Sequence, residues 1–340
     1  MLNKDVKKFD YFGACTFYLG AILVALVGQA LISFASVILS QSNPDIATNG
    51  DFVTACMIVL QAVNALFIVL YCKTKNNRFD CALAVDKNTE KLDYRDFIIP
   101  VIAALVLLVS MYLPTVWYGY FTEYALHISP AAGNIELETV SSVVMIVIAS
   151  VFMAPVFEES IYRGVLFNGL KRKKSAVKAV LLSALAFMLM HMSPIQVVFQ
   201  FALGALSAVI MHRTGRLLPS VLLHATANAA ALTIQFEPLS GVIAGCMDWL
   251  VANPTSAVFI TLALLIAGGG VLFVLVRFGY GKTDTQNAEA PQDDEKLTPE
   301  TAAKQALAEA RSKDGNVRYW IATAVSGVLF IINLITMIAG

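Results

Sequence analysis

Charge is what this chain has least of. Aspartate, glutamate, lysine and arginine make up 14% of its 340 residues, against 58% hydrophobic residues. A soluble domain averages about 45–50% apolar and about 25% charged, so a soluble globular fold is excluded. Acidic and basic residues balance at 24 each. There is no basic surface of the kind nucleic acid needs, so no nucleic-acid partner is expected. The five cysteines, Cys15, Cys56, Cys72, Cys81 and Cys246, are scattered and form no C-x-x-C pair. They offer neither a disulfide framework nor a thiolate metal site. An internal repeat is also missing, which disfavours a transporter built from mirrored halves.

What the chain has instead is long apolar runs, each able to cross a hydrocarbon core of about 30 Å. Nine are read, at roughly 13–39, 52–72, 97–118, 139–158, 176–192, 195–211, 217–235, 256–276 and 319–339. The expected fold class is all-α, a polytopic helical protein of the cell membrane whose surface partner is lipid. The first run is too long for a signal-peptide core and is read as a retained span. The basic residues fix an orientation. Connections 40–51, 119–138 and 236–255 carry no Lys or Arg, whereas 73–96, 171–174, 213–216 and 277–318 carry many. The positive-inside rule then places the N-terminus in the cytoplasm and the C-terminus outside.

Residues 1–138 read as an N-terminal accessory bundle, 139–236 as a core of four spans, and 237–278 as the region of the eighth span. Residues 279–318 read as a cytoplasmic linker with a short helix capped by Thr298, and 319–340 as the last span. Gly204, Ala205, Ser207 and Ala208, then Ala225, Ala227, Ala229, Ala230 and Ala231, allow close helix packing and carry no assigned chemistry. Gly268–Gly270 either loosens its span or admits a neighbouring backbone.

The unusual polar residues all fall in the core. Glu159 and Arg163 are four apart on one helical face, in the favourable acid-to-base order, and read as a pair. Glu158 points about 100° away and is the freer carboxylate, available as a base. Pro155 removes a backbone hydrogen bond just before them. Taken alone, the group fits a snorkelling cluster at the cytoplasmic interface equally well, since Lys171–Lys174 follow. His191 ends an apolar run and on its own reads as interfacial, with Phe187 one turn before it. His224 and Asn228 share a face within VLLHATANAAALT, where a plain interhelical hydrogen bond is the common role. His127 and His212 read as surface residues. Ionisable groups at membrane depth cost several kcal/mol each unless paired or working, so their concentration in consecutive spans points to a reactive site.

E-E-x-x-x-R (Glu158, Glu159, Arg163), F-x-x-x-H (Phe187, His191) and H-x-x-x-N (His224, Asn228), in that order on successive spans, resemble the CPBP family. This is the CAAX-processing and bacteriocin-processing (Abi) group of intramembrane proteases that includes the Ras-converting enzyme. The similarity covers about residues 140–235. It implies a helical bundle around a cavity open to the cytoplasm. In it Glu158, Glu159, Arg163, His191, His224 and Asn228 form the catalytic set, acting on a peptide or membrane-anchored protein.

Such a set can cleave an amide with water activated by Glu158 and an oxyanion held by His224 and Asn228, His191 orienting the water or protonating the leaving amine. The resemblance also admits a zinc cofactor on Glu158, His191 and His224. Against it stand the missing H-E-x-x-H and the poor ligand quality of Asn, and the metal-free reading is preferred. The alternative to an enzyme is a non-catalytic membrane protein serving bacteriocin self-immunity or scaffolding a signalling partner.

Overall fold

The computed structural model describes residues 9–74, 92–127, 137, 139–194, 196–280 and 299–339. The basic residues Lys4, Lys7, Lys8, Lys75, Arg78, Lys87 and Lys91, Cys81, and residues 281–298 of the expected linker with the Thr298 cap lie outside these residues. Among the described residues the chain forms helices and no strand. We number the helices α1 (Tyr11–Ser40), α2 (Gly50–Thr74), α3 (Arg95–Leu126), α4 (Val140–Lys171), α5 (Ala176–Met190), α6 (Val197–Thr214), α7 (Leu217–Thr233), α8 (Leu239–Ala252), α9 (Pro254–Gly279) and α10 (Pro299–Ala339). The protein is a polytopic all-α membrane protein, and seven of these helices are long and apolar enough to cross a bilayer.

Each of the nine expected spans falls on a helix, but α5 and α7 are shorter than a full crossing. At 1.5 Å per residue they run about 22 and 25 Å. The connection read between 236 and 255 is not plain loop, because it contains α8. The cytoplasmic helix and last span read as separate are one continuous helix, α10, of 41 residues. Nothing between Pro299 and Ala339 breaks it. Gly315, one of two glycines inside it, lies against α1, where an added Cβ would come within 3.0 Å of the Tyr11 ring and 3.3 Å of the Phe12 Cα.

Side-chain caps set several helix starts. Asp10 accepts from the Gly13 amide at 2.7 Å, and Thr139 accepts from the Ser142 amide at 3.0 Å. These bonds satisfy amides that the first turn leaves without an intrahelical partner.

Helices α4 to α7 pack consecutively, and the remaining helices wrap them. α2 lies on the N-terminal half of α4, α1 on its C-terminal half, and α3 on α6 and α7. One buried apolar cluster runs from Phe17 and Tyr18 of α1 through Tyr162 and Val165 of α4 to Phe187 of α5 and Leu223 of α7. α10 crosses α1 and α5, fastened by Arg311–Asp10 at 3.0 Å, by the Tyr11 hydroxyl donating to Asn316 at 2.6 Å, and by the Tyr319 hydroxyl donating to the Leu182 carbonyl at 2.9 Å. Arg216 and Asp96 form an ion pair that joins the N-terminal ends of α7 and α3. Gly268 admits its neighbour: an added Cβ would lie 1.7 Å from the Ser110 hydroxyl of α3. Outward faces carry Phe34, Phe152, Phe259 and Ile266 exposed, as a lipid-facing surface requires.

Candidate active site

Helix α4 departs from regular α geometry around the two glutamates. Residues Val147–Met153 and Ser160–Phe167 follow a wider i→i+5 pattern, on either side of the α-helical turn Ala154–Glu159. Such widenings re-aim side chains and occur frequently at functional sites. The first one has a local cause. The Ala154 amide bonds to the Ala149 carbonyl, so the next carbonyl in this register, Ser150, faces Pro155, which has no N–H to give. The Asn228 side chain of α7 supplies the missing donor, its Nδ2 lying 2.7 Å from the Ser150 oxygen.

Glu159 and Arg163 are completely buried, and Glu158 is 7% exposed. A surface cluster snorkelling to the interface is therefore ruled out. Glu159 sits between two cationic or donor groups. Its Oε1 lies 3.0 Å from His224 Nδ1 and its Oε2 lies 3.1 Å from Arg163 Nε. The Arg163 Nε–H is not aligned with that oxygen, so this half of the contact is Coulombic. Arg163 Nη2 donates to the Gly204 carbonyl of α6 at 3.0 Å, and its guanidinium lies 4.3 Å above the Phe187 ring.

Glu158 faces the other way, as expected from its 100° offset. Its Oε1 accepts from Gln61 Nε2 of α2 at 3.1 Å. Its Oε2 is buried, has no hydrogen-bond partner among the described residues, and lies 4.0 Å from His191 Nε2. His191 Nδ1 is 2.9 Å from the Phe187 carbonyl. A carbonyl only accepts, so Nδ1 carries the proton, and in the neutral ring Nε2 presents a lone pair towards Glu158. A separation of 4.0 Å between two acceptors suits one bridging donor molecule rather than a direct bond.

Phe187 is the aromatic hub of the site. Its ring lies 4.8 Å from that of His191, 5.5 Å from that of His224 and 5.4 Å from that of Tyr162, all three edge-on. Five of the motif residues thus come together from α4, α7 and the end of α5 around Phe187, while Asn228, one turn on from His224, meets α4 earlier, at Ser150. His127 and His212 stay outside. His127 caps α3 in a left-handed conformation and is exposed, and His212 Nδ1 lies 3.3 Å from Lys171 Nζ.

The residues do not fit a zinc site as they are arranged. Each candidate imidazole has Nδ1 committed to another group, the second-shell arrangement of a zinc ligand, but no three His, Cys, Asp or Glu among the described residues converge on a metal-holding group.

Sequence reasoning missed Gln61 and Asn64. Asn64 is buried and its Nδ2 lies 3.4 Å from Gln61 Oε1. The available signal was two amides three residues apart in the otherwise apolar run 52–72. Gly204, read only as a packing residue, also contributes its carbonyl to Arg163.

Comparison with known proteins bears on this segment. Residues 140–230 match a family model described as "Type II CAAX prenyl endopeptidase Rce1-like". A stretch of 123 residues is 27% identical to the Bacillus subtilis (strain 168) protein named "Putative membrane peptidase YdiL", covering 36% of this chain and 50% of that protein. The chain therefore aligns over about half the length of this curated relative. No solved structure matches. All six motif residues and Phe187 lie inside the matched segment, whereas Gln61 and Asn64 lie outside it. Residues 140–230 thus resemble the CAAX-processing and bacteriocin-processing intramembrane proteases.

Proposed function

We infer that this protein is an intramembrane endopeptidase that hydrolyses a peptide bond near the membrane, using Glu158 as the base that activates water. The observation that carries this reading is the facing pair Glu158 Oε2 and His191 Nε2. These are two acceptors 4.0 Å apart, the carboxylate oxygen buried and unpartnered among the described residues and the imidazole part-buried, in a segment that matches the Rce1-like family model. A water donating one hydrogen to each would have its oxygen lone pairs turned away from both, towards a substrate carbonyl. As that oxygen attacks the carbonyl carbon, Glu158 takes the proton, and it then delivers the proton to the departing amine as the C–N bond breaks. The products are a carboxylic acid and an amine. General-base catalysis of this kind contributes about 10²–10⁴ in rate.

Glu159 holds His224 by Nδ1, which leaves Nε2 as the ring atom able to meet the developing oxyanion when it carries a proton. Asn228 has one amide N–H committed to the Ser150 carbonyl. Its first role is to hold the widened turn of α4 that aims Glu158.

The N-terminus lies in the cytoplasm in this reading, and the site opens to that side. The substrates are peptides or membrane-anchored proteins of the CAAX, peptide-precursor or bacteriocin-leader type. The test is cleavage by the purified full-length chain in detergent of a panel of farnesylated and unprenylated peptides, with products located by mass spectrometry and bound metal quantified. Cleavage by the wild type that is lost in Glu158→Ala and His224→Ala without stoichiometric metal supports the reading. Stoichiometric zinc, lost in His224→Ala together with chelator-sensitive cleavage, replaces it with a metalloprotease. Unimpaired function of a folded Glu158→Ala variant points to the non-catalytic scaffold.

A further inference from the structure

The base proposed above is reached from a helix outside the Rce1-like segment. α2 is apolar through its middle except for Gln61 and Asn64. A primary amide inside a bilayer needs a partner, because no water is there to satisfy it. Both amides find one, and the bonds run in a single direction. Asn64 Nδ2 donates to Gln61 Oε1 at 3.4 Å, and Gln61 Nε2 donates to Glu158 Oε1 at 3.1 Å. The Asn64 donor fixes which end of the Gln61 amide is oxygen, so the nitrogen must face the carboxylate.

This has a consequence for the carboxylate. The terminal torsion of a glutamate is broad and roughly two-fold, so an untethered Glu158 could turn either oxygen towards His191. With Oε1 tied to Gln61, the oxygen left facing His191 Nε2 is Oε2, which is buried and without a hydrogen-bond partner among the described residues.

We propose that Gln61, oriented by Asn64, is a positioning residue that holds the Glu158 carboxylate in its working orientation, so that α2 completes a site whose other groups come from α4, α5 and α7. This inference rests on Glu158 acting as the base. It assigns to α2, one helix of the N-terminal bundle, a part in catalysis beyond packing, and it extends the functional unit beyond residues 140–230.

The experiment uses the full-length chain in detergent, with a farnesylated peptide ending in a CAAX sequence and its unprenylated counterpart as probes. kcat, KM and melting temperature are measured for wild type, Glu158→Gln, Gln61→Leu, Gln61→Asn and Asn64→Leu. A charged hydrogen bond lost at the reacting group lowers kcat about 10- to 100-fold in Gln61→Leu, with KM nearly unchanged. Asn64→Leu costs less, about 2- to 10-fold, because it removes only the orientation of the amide. Gln61→Asn keeps an amide donor and recovers part of the loss. A purely structural Gln61 would instead lower melting temperature and raise KM along with the loss of kcat, and the amide variant would not recover it. Normal kcat in Gln61→Leu beside an inactive Glu158→Gln overturns the positioning role and leaves the proposed function standing. Full cleavage by Glu158→Gln sinks the proposed function and this role with it. A readout independent of cleavage is cross-linking of a Gln61→Cys, Glu158→Cys double variant by a short bis-thiol reagent, with each single variant as control. Cross-linking specific to the double variant is expected, and its failure overturns the juxtaposition whatever the kinetics.

Discussion

Removing the guanidinium of Arg163 tests the buried ionic cluster most severely. Arg163 is completely buried, and it pairs with Glu159 Oε2 at 3.1 Å, donates to the Gly204 carbonyl at 3.0 Å and lies 4.3 Å above the Phe187 ring. Arg163→Met preserves much of the volume and removes all three. Breaking one side of a buried ion pair costs about 3–5 kcal/mol, chiefly because the partner is left charged and desolvated. His224 Nδ1, 3.0 Å from the same carboxylate, remains to compensate part of this. The net expectation is therefore towards the lower end, about 3 kcal/mol, or several degrees of melting temperature followed by intrinsic fluorescence in detergent. The double variant Glu159→Gln, Arg163→Met discriminates the cause. If the cost is an orphaned charge, neutralising both partners recovers at least about 1 kcal/mol relative to the sum of the single variants. Strict additivity, or an Arg163→Met variant as stable as the wild type, would refute the account of this cluster.

Three further expectations follow from particular contacts. Asn228→Ala leaves the Ser150 carbonyl without the donor that replaces the missing Pro155 N–H, a cost of about 1–3 kcal/mol. The same change costs less in a Pro155→Ala background, which a double-mutant thermal comparison reads directly. Gly268→Ala drives a Cβ onto the Ser110 hydroxyl and is expected to destabilise by about 1–3 kcal/mol, whereas Gly269→Ala, with open space at its Cβ, should be neutral in the same assay. Phe187→Ala empties the ring that touches Arg163, His191 and His224. About 3–5 kcal/mol of stability should go with it, and cleavage should fall further than stability alone accounts for.

Much of the site was legible because its grammar is local. The four-residue spacings of Glu159 with Arg163 and of His224 with Asn228 each put two side chains on one helical face. The 100° offset between adjacent glutamates separated their partners before any tertiary contact was known. The pairing of Glu159 with His224, rather than with Arg163 alone, was not legible, since it joins positions 65 residues apart. Gln61 was hidden for the same reason. Its polarity in an apolar span was visible, but its partner lies 97 residues away. Asn228 read as an oxyanion donor because the widened register of α4 cannot be seen in composition. Only that register leaves the Ser150 carbonyl opposite a proline. In the fold, the length of the apolar runs located the spans. It could not show that α10 runs unbroken, because Gly315 reads as a weak point until its close fit against α1 is known.

The most direct test of the central claim is the rate of peptide cleavage by Glu158→Gln, measured beside its melting temperature. Glutamine keeps the shape of Glu158 and can still meet Gln61, but it cannot take a proton from water. The account predicts a fold as stable as the wild type to within a few degrees and a kcat reduced at least about 100-fold. A well-folded Glu158→Gln that cleaves at the wild-type rate would contradict it.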